Sequence, residues 1–323
     1  MMSIQTYPKQ QNIPVAAVVG PTASGKSRLA VELALRFNGE IISADSMQIY
    51  KGMAIGTAKP TEEEMRGVPH HLIDFADPED PFSVAEYVEL AAKCVRDIYS
   101  RGKLPILAGG TGLYVRSFLQ NIQFTEEERD DAFRAQMAAK AECEGVQALW
   151  DELYRIDADS ASRIHPNNVG RVIRSLEIYH TTGKTMTQQL EASRRFASPY
   201  NTCIIGLDFA DRQVLYNRIN ARVDEMLALG LEREAREVLA QSPKTAAQAI
   251  GYKEFLPYFS GNGTLEETVN SIKRETRRYA KRQRTWFRRD EEIHWILADE
   301  QPDFSSVADE AARLLCAWLE NIR

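Results

Sequence analysis

Cysteine is scarce: four residues in a chain of 323, and the four (Cys94, Cys143, Cys203 and Cys316) form no C-x-x-C pair. That spacing argues against a disulfide framework and a cysteine-held zinc site, and fits a reducing cytoplasm. Long apolar runs are missing as well. Nothing approaches the roughly 18 consecutive apolar residues that a membrane span needs. The polar stretch from Met1 to Ile13 leads into no hydrophobic signal segment. A cytoplasmic protein with no membrane contact is the expectation. No repeat or low-complexity tract is present, and 44% hydrophobic with 27% charged residues is an ordinary globular composition. Nor is the chain basic overall: 40 Lys and Arg against 46 Asp and Glu leave a net charge of −6.

The average conceals a segregated charge. Between Lys273 and Arg289 stand nine basic residues and one acid, Glu275. A local excess of this kind points to an anionic partner more strongly than a basic mean would. The spacing predicts one long helix here, opened by a Thr264-x-x-Glu267 capping box. The cations lie on one broad face, with Tyr279, Gln283, Trp286 and Phe287 opposite.

Upstream, short apolar runs alternate with helical periodicity. Pro14–Val19, Glu40–Asp45, Leu104–Ala108 and Cys203–Asp208 read as strands, and 26–37 and 83–99 as helices. This alternation predicts an α/β fold: a P-loop NTPase-like parallel sheet flanked by helices. From Thr125 to Thr182 the pattern is helical only, with a Thr125-x-x-Glu128 capping box. The expected organisation is a core over 1–124, an all-helical insertion over 125–200, and a second core segment over 201–323 with basic C-terminal helices. The last helix, about 306–321, has an apolar stripe for packing.

One motif carries chemistry on its own. Gly20-Pro21-Thr22-Ala23-Ser24-Gly25-Lys26-Ser27 matches G-x-x-x-x-G-K-[ST] between a strand and a helix, the context a phosphate-binding loop requires. Its amides and the helix N-terminus cradle phosphate oxygens, Lys26 adds a full charge, and the Ser27 hydroxyl suits Mg²⁺. ATP-binding proteins share this motif, but it specifies only a di- or triphosphate, neither nucleotide nor hydrolysis. The partner acid of an NTPase is ambiguous: Asp208 ends a strand far downstream, and Asp74 is a weaker case. Asp45 ends the strand nearest the loop in sequence. In an open parallel sheet it shares the crevice at the carboxyl ends of the strands, as a base or as a loop cap. Arg218 and Arg222 lie one turn apart and reach either the phosphates or Asp224 and Glu225. His70, His71 and His165 lack metal-ligand spacing and read as structural.

Several segments, in this order, resemble the tRNA dimethylallyltransferases. They are the P-loop, Ser43–Tyr50, Gly56–Pro60, Val68–Asp74, Gly109–Tyr114, Ile164–Asn167, Arg171-x-x-Arg174-x-Leu176-Glu177, Ala249–Lys253, Tyr279–Gln283 and Thr285–Arg288. The resemblance spans about residues 14 to 290. It implies transfer of a dimethylallyl group from dimethylallyl diphosphate to the exocyclic amine of the adenosine 3′-adjacent to the anticodon. The P-loop would hold the diphosphate with Mg²⁺. Catalysis would fall to Lys26, to Asp45 as general base and to Thr111, which contacts the target base. The tRNA anticodon stem-loop would be met by Asp45, Ser46, Met47, Gln48 and Thr111, and by Arg134, Gly170, Arg171, Val172, Ile173 and Arg174 of the insertion. Gln248, Gly251, Tyr252, Lys253, Lys281, Arg282, Arg284 and Arg288 complete that set. The zinc finger of eukaryotic members has no counterpart here, which implies the bacterial type; a monomer is expected. A nucleoside or nucleotide kinase shares the loop and the size, and an RNA-binding module with an idle P-loop is the rival of a different class. Prenylation of free adenine nucleotides leaves the basic helix without a purpose.

Overall fold

A computed structural model describes residues 12–124, 130–193, 197–241 and 246–322. The Thr125–Glu128 capping box lies outside the described residues. The chain divides into two compact units, one made of residues up to Leu119 together with those from Pro199 onward, the other of Gln120–Ser198.

The first unit is built on a six-stranded parallel sheet: β1 (Ile13–Val19), β2 (Gly39–Ser43), β3 (His70–His71), β4 (Leu104–Gly109), β5 (Tyr200–Asp208) and β6 (Ile293–Leu297), in the order β3-β2-β4-β1-β5-β6. Strands covered on both faces read as continuous apolar runs, as β1 does (IPVAAVV). Alternate residues serve opposite faces. Ala16 and Val18 pack with Leu29 and Leu33 of α1 (Lys26–Arg36), and with Val307, Ala311 and Leu315 from the apolar stripe of the C-terminal helix Phe304–Asn321. Val15, Ala17 and Val19 pack with Tyr87, Ala91, Val95 and Ile98 of α2 (Val84–Ser100), and with Tyr114 and Phe118 of α3 (Gly112–Leu119). β3 and β6, which the apolar pattern does not signal, close the two edges. His71 of β3 holds the buried Glu40 carboxylate through Nε2 at 2.7 Å, and His70 Nδ1 lies 2.8 Å from the Val68 carbonyl, so both are structural as expected.

Among the described residues, the second unit is helical: α4 (Asp131–Glu144), α5 (Val146–Ile156), α6 (Ala158–Arg163), α7 (Val169–Thr182) and α8 (Met186–Ser193). Met137, Leu149, Leu153, Val172, Ile173 and Leu176 form its core. The chain returns through β5 to α9 (Arg212–Ala228), α10 (Leu231–Ala240) and the long basic helix α11 (Leu265–Phe287); the C-terminal helix Phe304–Asn321 is α12. The Thr264 capping box is present: Thr264 Oγ1 accepts the Glu267 amide at 3.2 Å, and Glu267 Oε2 accepts the Thr264 amide at 2.8 Å. No helix among the described residues is long and apolar enough to cross a membrane.

Candidate active site

Parallel pairing sets the site. Val19 is in register with Gly109 of β4 and Gly206 of β5, and Ser43 with Ala108. The segments following β1, β2, β4 and β5 therefore emerge together at the carboxyl edge of the sheet, where open parallel sheets bind ligands. The P-loop leaves β1 at Gly20 with φ 149°, and a Cβ there would stand 2.3 Å from the Leu207 carbonyl oxygen, so only glycine fits. Ala23 and Gly25 both have positive φ, which curls the loop. Gly25 starts α1 with no side-chain cap, leaving first-turn amides and the positive helix end for an anion. Arg218 Nε donates to the Ala23 carbonyl at 2.9 Å and braces the loop from α9. Ser24 Oγ is buried within the loop and has no partner among the described residues, a hydroxyl suited to a phosphate oxygen.

The neighbouring segment carries Asp45. Ala44 is pinned to β4 by its amide on the Ala108 carbonyl (2.8 Å) and by its carbonyl on the Thr111 amide (3.1 Å). Thr111 Oγ1 accepts the Ser46 amide at 3.0 Å, and Asp45 Oδ1 accepts the Met47 amide at 2.9 Å, which leaves its second oxygen for a ligand. Thr111 thus braces the turn that holds Asp45.

Both segments open into one cavity of about 390 Å³. Thr22, Ala23 and Lys26 line it from the loop, and Asp45, Ser46 and Met47 from the β2 end. Gly56–Ala58, Arg222 of α9, Gln248–Gly251 and Lys253, and Tyr279, Arg282 and Gln283 of α11 complete the polar and backbone wall. Ile219, Val223, Met226 and Ile272 supply an apolar side. Desolvation pushes the Lys26 ammonium down to about 8; the Asp45 charge opposes that fall and Arg222 adds to it. Burial likewise lowers Arg222, and burial with the nearby Asp45 charge raises the Tyr279 phenol. A cavity with several cations against one carboxylate, entered by a phosphate-binding loop, can take a multiply charged anion with a carboxylate beside it.

The IPP transferase family profile matches residues 48–290. The tRNA dimethylallyltransferase of Bacillus subtilis (strain 168) is 52% identical over 285 residues, 88% of this chain and 90% of that protein. That of Thermoanaerobacter sp. (strain X514) is 47% identical over 311 residues, 95% of this chain and 99% of that protein. The chain belongs to the IPP transferase family. Among solved structures, the full-length tRNA isopentenylpyrophosphate transferase from Bacillus halodurans superposes with a TM-score of 0.72 at 46% identity, covering 96% of this chain and 97% of that one. A eukaryotic dimethylallyltransferase captured acting on tRNA gives a TM-score of 0.81 at 30% identity, covering 95% and 80%. As a member of this family the chain is a transferase of prenyl groups with a P-loop α/β fold.

Several residues expected at the RNA line the cavity: Asp45, Ser46, Met47, Gln248, Gly251, Lys253 and Arg282. Gln48 itself donates to the carbonyls of Thr57 and Ala58, each at 3.1 Å, and so shapes the wall. Gly170, Arg171, Lys281 and Arg288 are exposed. Others are buried or hold protein partners of their own. Tyr252 is wholly buried, its hydroxyl donating to Glu234 at 2.7 Å, while Glu234 also accepts the amides of Ala54, Ile55 and Gly56. The Tyr252 side chain belongs to a brace under the Gly56 loop. Val172 and Ile173 point into the helical core, since the apolar face of α7 is what folds that unit. Arg134 and Arg174 both bond the fully buried Glu177. Arg284 and Arg288 share buried Asp208 Oδ2 at 2.8 and 3.1 Å, which makes Asp208 an ion-pair anchor for α11, while its buried Oδ1 has no partner among the described residues. Arg218 and Arg222 turn toward the loop and cavity, while Asp224 pairs with Lys273 at 2.6 Å. Gln283, Tyr279 and the Gly56 loop carry no sequence signal of a site role beyond their motifs.

Proposed function

We propose that this chain transfers a dimethylallyl group from dimethylallyl diphosphate to the exocyclic amine of the adenosine 3′-adjacent to a tRNA anticodon, giving N6-dimethylallyladenosine and diphosphate. One observation carries the reading: Lys26 of the phosphate loop and Asp45 face a single cavity that also receives Gln248–Gly251, Lys253 and Arg282. In the reaction the bond between the allylic carbon and the diphosphate oxygen breaks, its electrons leaving with the diphosphate. The amine nitrogen bonds to that carbon and loses a proton. Charge builds on the leaving oxygens, where Lys26, the loop amides and Arg222 stand ready. The amine is a weak nucleophile because its lone pair is delocalised into the ring, and Asp45 accepts its proton as the new bond forms. The adenine must leave its stack to enter the cavity, and the exposed cations of α11 provide an RNA-facing surface. Among the described residues no cluster of three or more acidic, His or Cys side chains could hold a metal alone. The Ser27 hydroxyl, in the first turn of α1 after the phosphate loop, would hold Mg²⁺. Bound there, Mg²⁺ would supply further neutralisation of the leaving group. We place this activity in the cytoplasm and assign it to a monomer.

The test is mass analysis of tRNA nucleosides after incubation of the protein with dimethylallyl diphosphate. Dimethylallyladenosine is the expected product. Its absence, together with phosphorylated nucleosides formed from ATP, would replace the reading with a kinase.

A further inference from the structure

Gln283 lies on α11 between Arg282 and Arg284, yet its side chain is 5% exposed. A buried primary amide has to satisfy both its oxygen and its nitrogen. Here Oε1 accepts the Thr22 amide at 2.8 Å and Nε2 donates to the Gly110 carbonyl at 2.9 Å. One partner can only donate and the other can only accept, so they fix the amide orientation. These partners belong to opposite halves of the site. Thr22 lies in the phosphate loop, while Gly110 precedes Thr111, whose hydroxyl holds the Ser46 amide beside Asp45. The approach is close enough that a Cβ on Gly110 would stand 2.2 Å from Gln283 Nε2. One turn earlier on the same helix, Tyr279 lines the same cavity as Gln283.

We propose that Gln283 is a positioning residue for prenyl transfer: its side-chain amide clamps the phosphate loop to the Gly110–Thr111 turn and so sets the spacing between the leaving diphosphate and Asp45. The proposal rests on the prenyl-transfer reading above. Group transfer needs the reacting atoms within about 3.5 Å, and a displacement of about 1 Å costs about 10²-fold in rate. Without the clamp, the donor cradle and the base sit on separate loops, one following β1 and the other following β2. The helix that carries the clamp also carries the exposed cations of α11, so one rigid element holds the donor loop, the base turn and the RNA-facing surface.

The test uses Gln283→Met and Gln283→Glu in the full chain. Met removes both hydrogen bonds at similar volume. An ionised Glu keeps an acceptor for the Thr22 amide but sets a second acceptor against the Gly110 carbonyl. A protonated Glu presents one carbonyl and one hydroxyl and restores both bonds. Burial and the facing carbonyl favour that protonated form. The other titratable groups lining the cavity, Lys26, Asp45, Arg222, Lys253, Tyr279 and Arg282, are common to variant and wild type and are divided out in a ratio. The expected result for Gln283→Met is a loss of about 10²-fold in kcat/KM at all pH values, with tRNA affinity kept. For Gln283→Glu, kcat/KM relative to wild type climbs as pH falls from about 8 to about 5.5, the range in which a raised carboxyl protonates. Wild-type kinetics in both variants overturn the proposal. So does a loss confined to tRNA affinity with no recovery of the Glu variant at acid pH, because Gln283 then serves the RNA surface alone. Absence of prenyl transfer by the wild-type protein would instead overturn the function on which the proposal rests.

Discussion

Replacing Arg134 by alanine separates two roles that the sequence alone assigns differently. Family resemblance places Arg134 at the RNA, whereas its guanidinium is bonded to Glu177, Nε on Oε1 and Nη2 on Oε2, both at 2.8 Å. Arg174 Nη1 adds a bond to Oε2 at 2.7 Å and the Asp130 amide one to Oε1 at 3.0 Å. Glu177 is fully buried in the helical unit. Burial alone would raise its carboxyl, but these four bonds outweigh that and bring it from 4.5 down to about 2. The shift is worth about 3 kcal/mol of folding stability. Because the folded carboxyl is depressed, this stability is present in full above about pH 4.5 and is lost as pH falls toward about 2. Arg134→Ala removes the bidentate partner and leaves a buried carboxylate under-compensated, a loss of about 3 kcal/mol in the helical unit near neutral pH. Amide hydrogen exchange of the segment 169–182 should then run about 10²-fold faster at pH 7. The difference from wild type should narrow as pH is lowered through about 4. Unchanged protection, with a weaker and less salt-dependent tRNA affinity, would refute the structural role and return Arg134 to the RNA surface.

Asp45→Ala should lower kcat by about 10²- to 10⁴-fold while tRNA affinity is kept, measured by single-turnover prenylation beside filter binding; an unchanged rate removes Asp45 from the chemistry. Desolvation lowers Lys26 to about 8, so affinity for inorganic diphosphate, followed by calorimetry and taken relative to the Lys26→Arg protein so that the ligand's own protonation divides out, should fall by up to about tenfold per pH unit above 8. Neutralising Arg278, Lys281 and Arg282 together should reduce the salt slope of tRNA affinity by about 0.7 to 0.9 for each phosphate that no longer meets a cation, and an unaltered slope makes this face ordinary surface. Tyr252→Phe removes one hydroxyl from Glu234 and should cost about 1 kcal/mol in denaturant unfolding with tRNA affinity unchanged.

What can be read from the sequence follows the range over which each residue finds its partners. The phosphate loop is legible because its geometry is local: eight residues, two positive-φ glycines and a following helix. β1, β2, β4 and β5 are legible because a strand buried on both faces shows as an apolar run. β3, two histidines on an edge, and β6, which interrupts its run with the exposed His294, show no such signal. The basic helix is visible as charge, but a helical projection treats its cations alike. The structure does not: Arg284 is turned inward onto Asp208, 76 residues away in sequence, while Lys281 stays exposed. Gln283 is the extreme case. The helical projection sets it opposite the cations, on the packing side, but says nothing of its partners, which are 261 and 173 residues distant. Burial also explains why Tyr252, Val172 and Ile173, all within segments of the family resemblance, face the protein interior. A motif preserves the residues that shape a surface along with those that form it, and spacing cannot separate the two. Only packing does so, which is why the same short segment, Gln248–Lys253, contains the exposed Gln248, the cavity-lining Gly251 and Lys253, and between them a tyrosine whose task is to hold a loop in place.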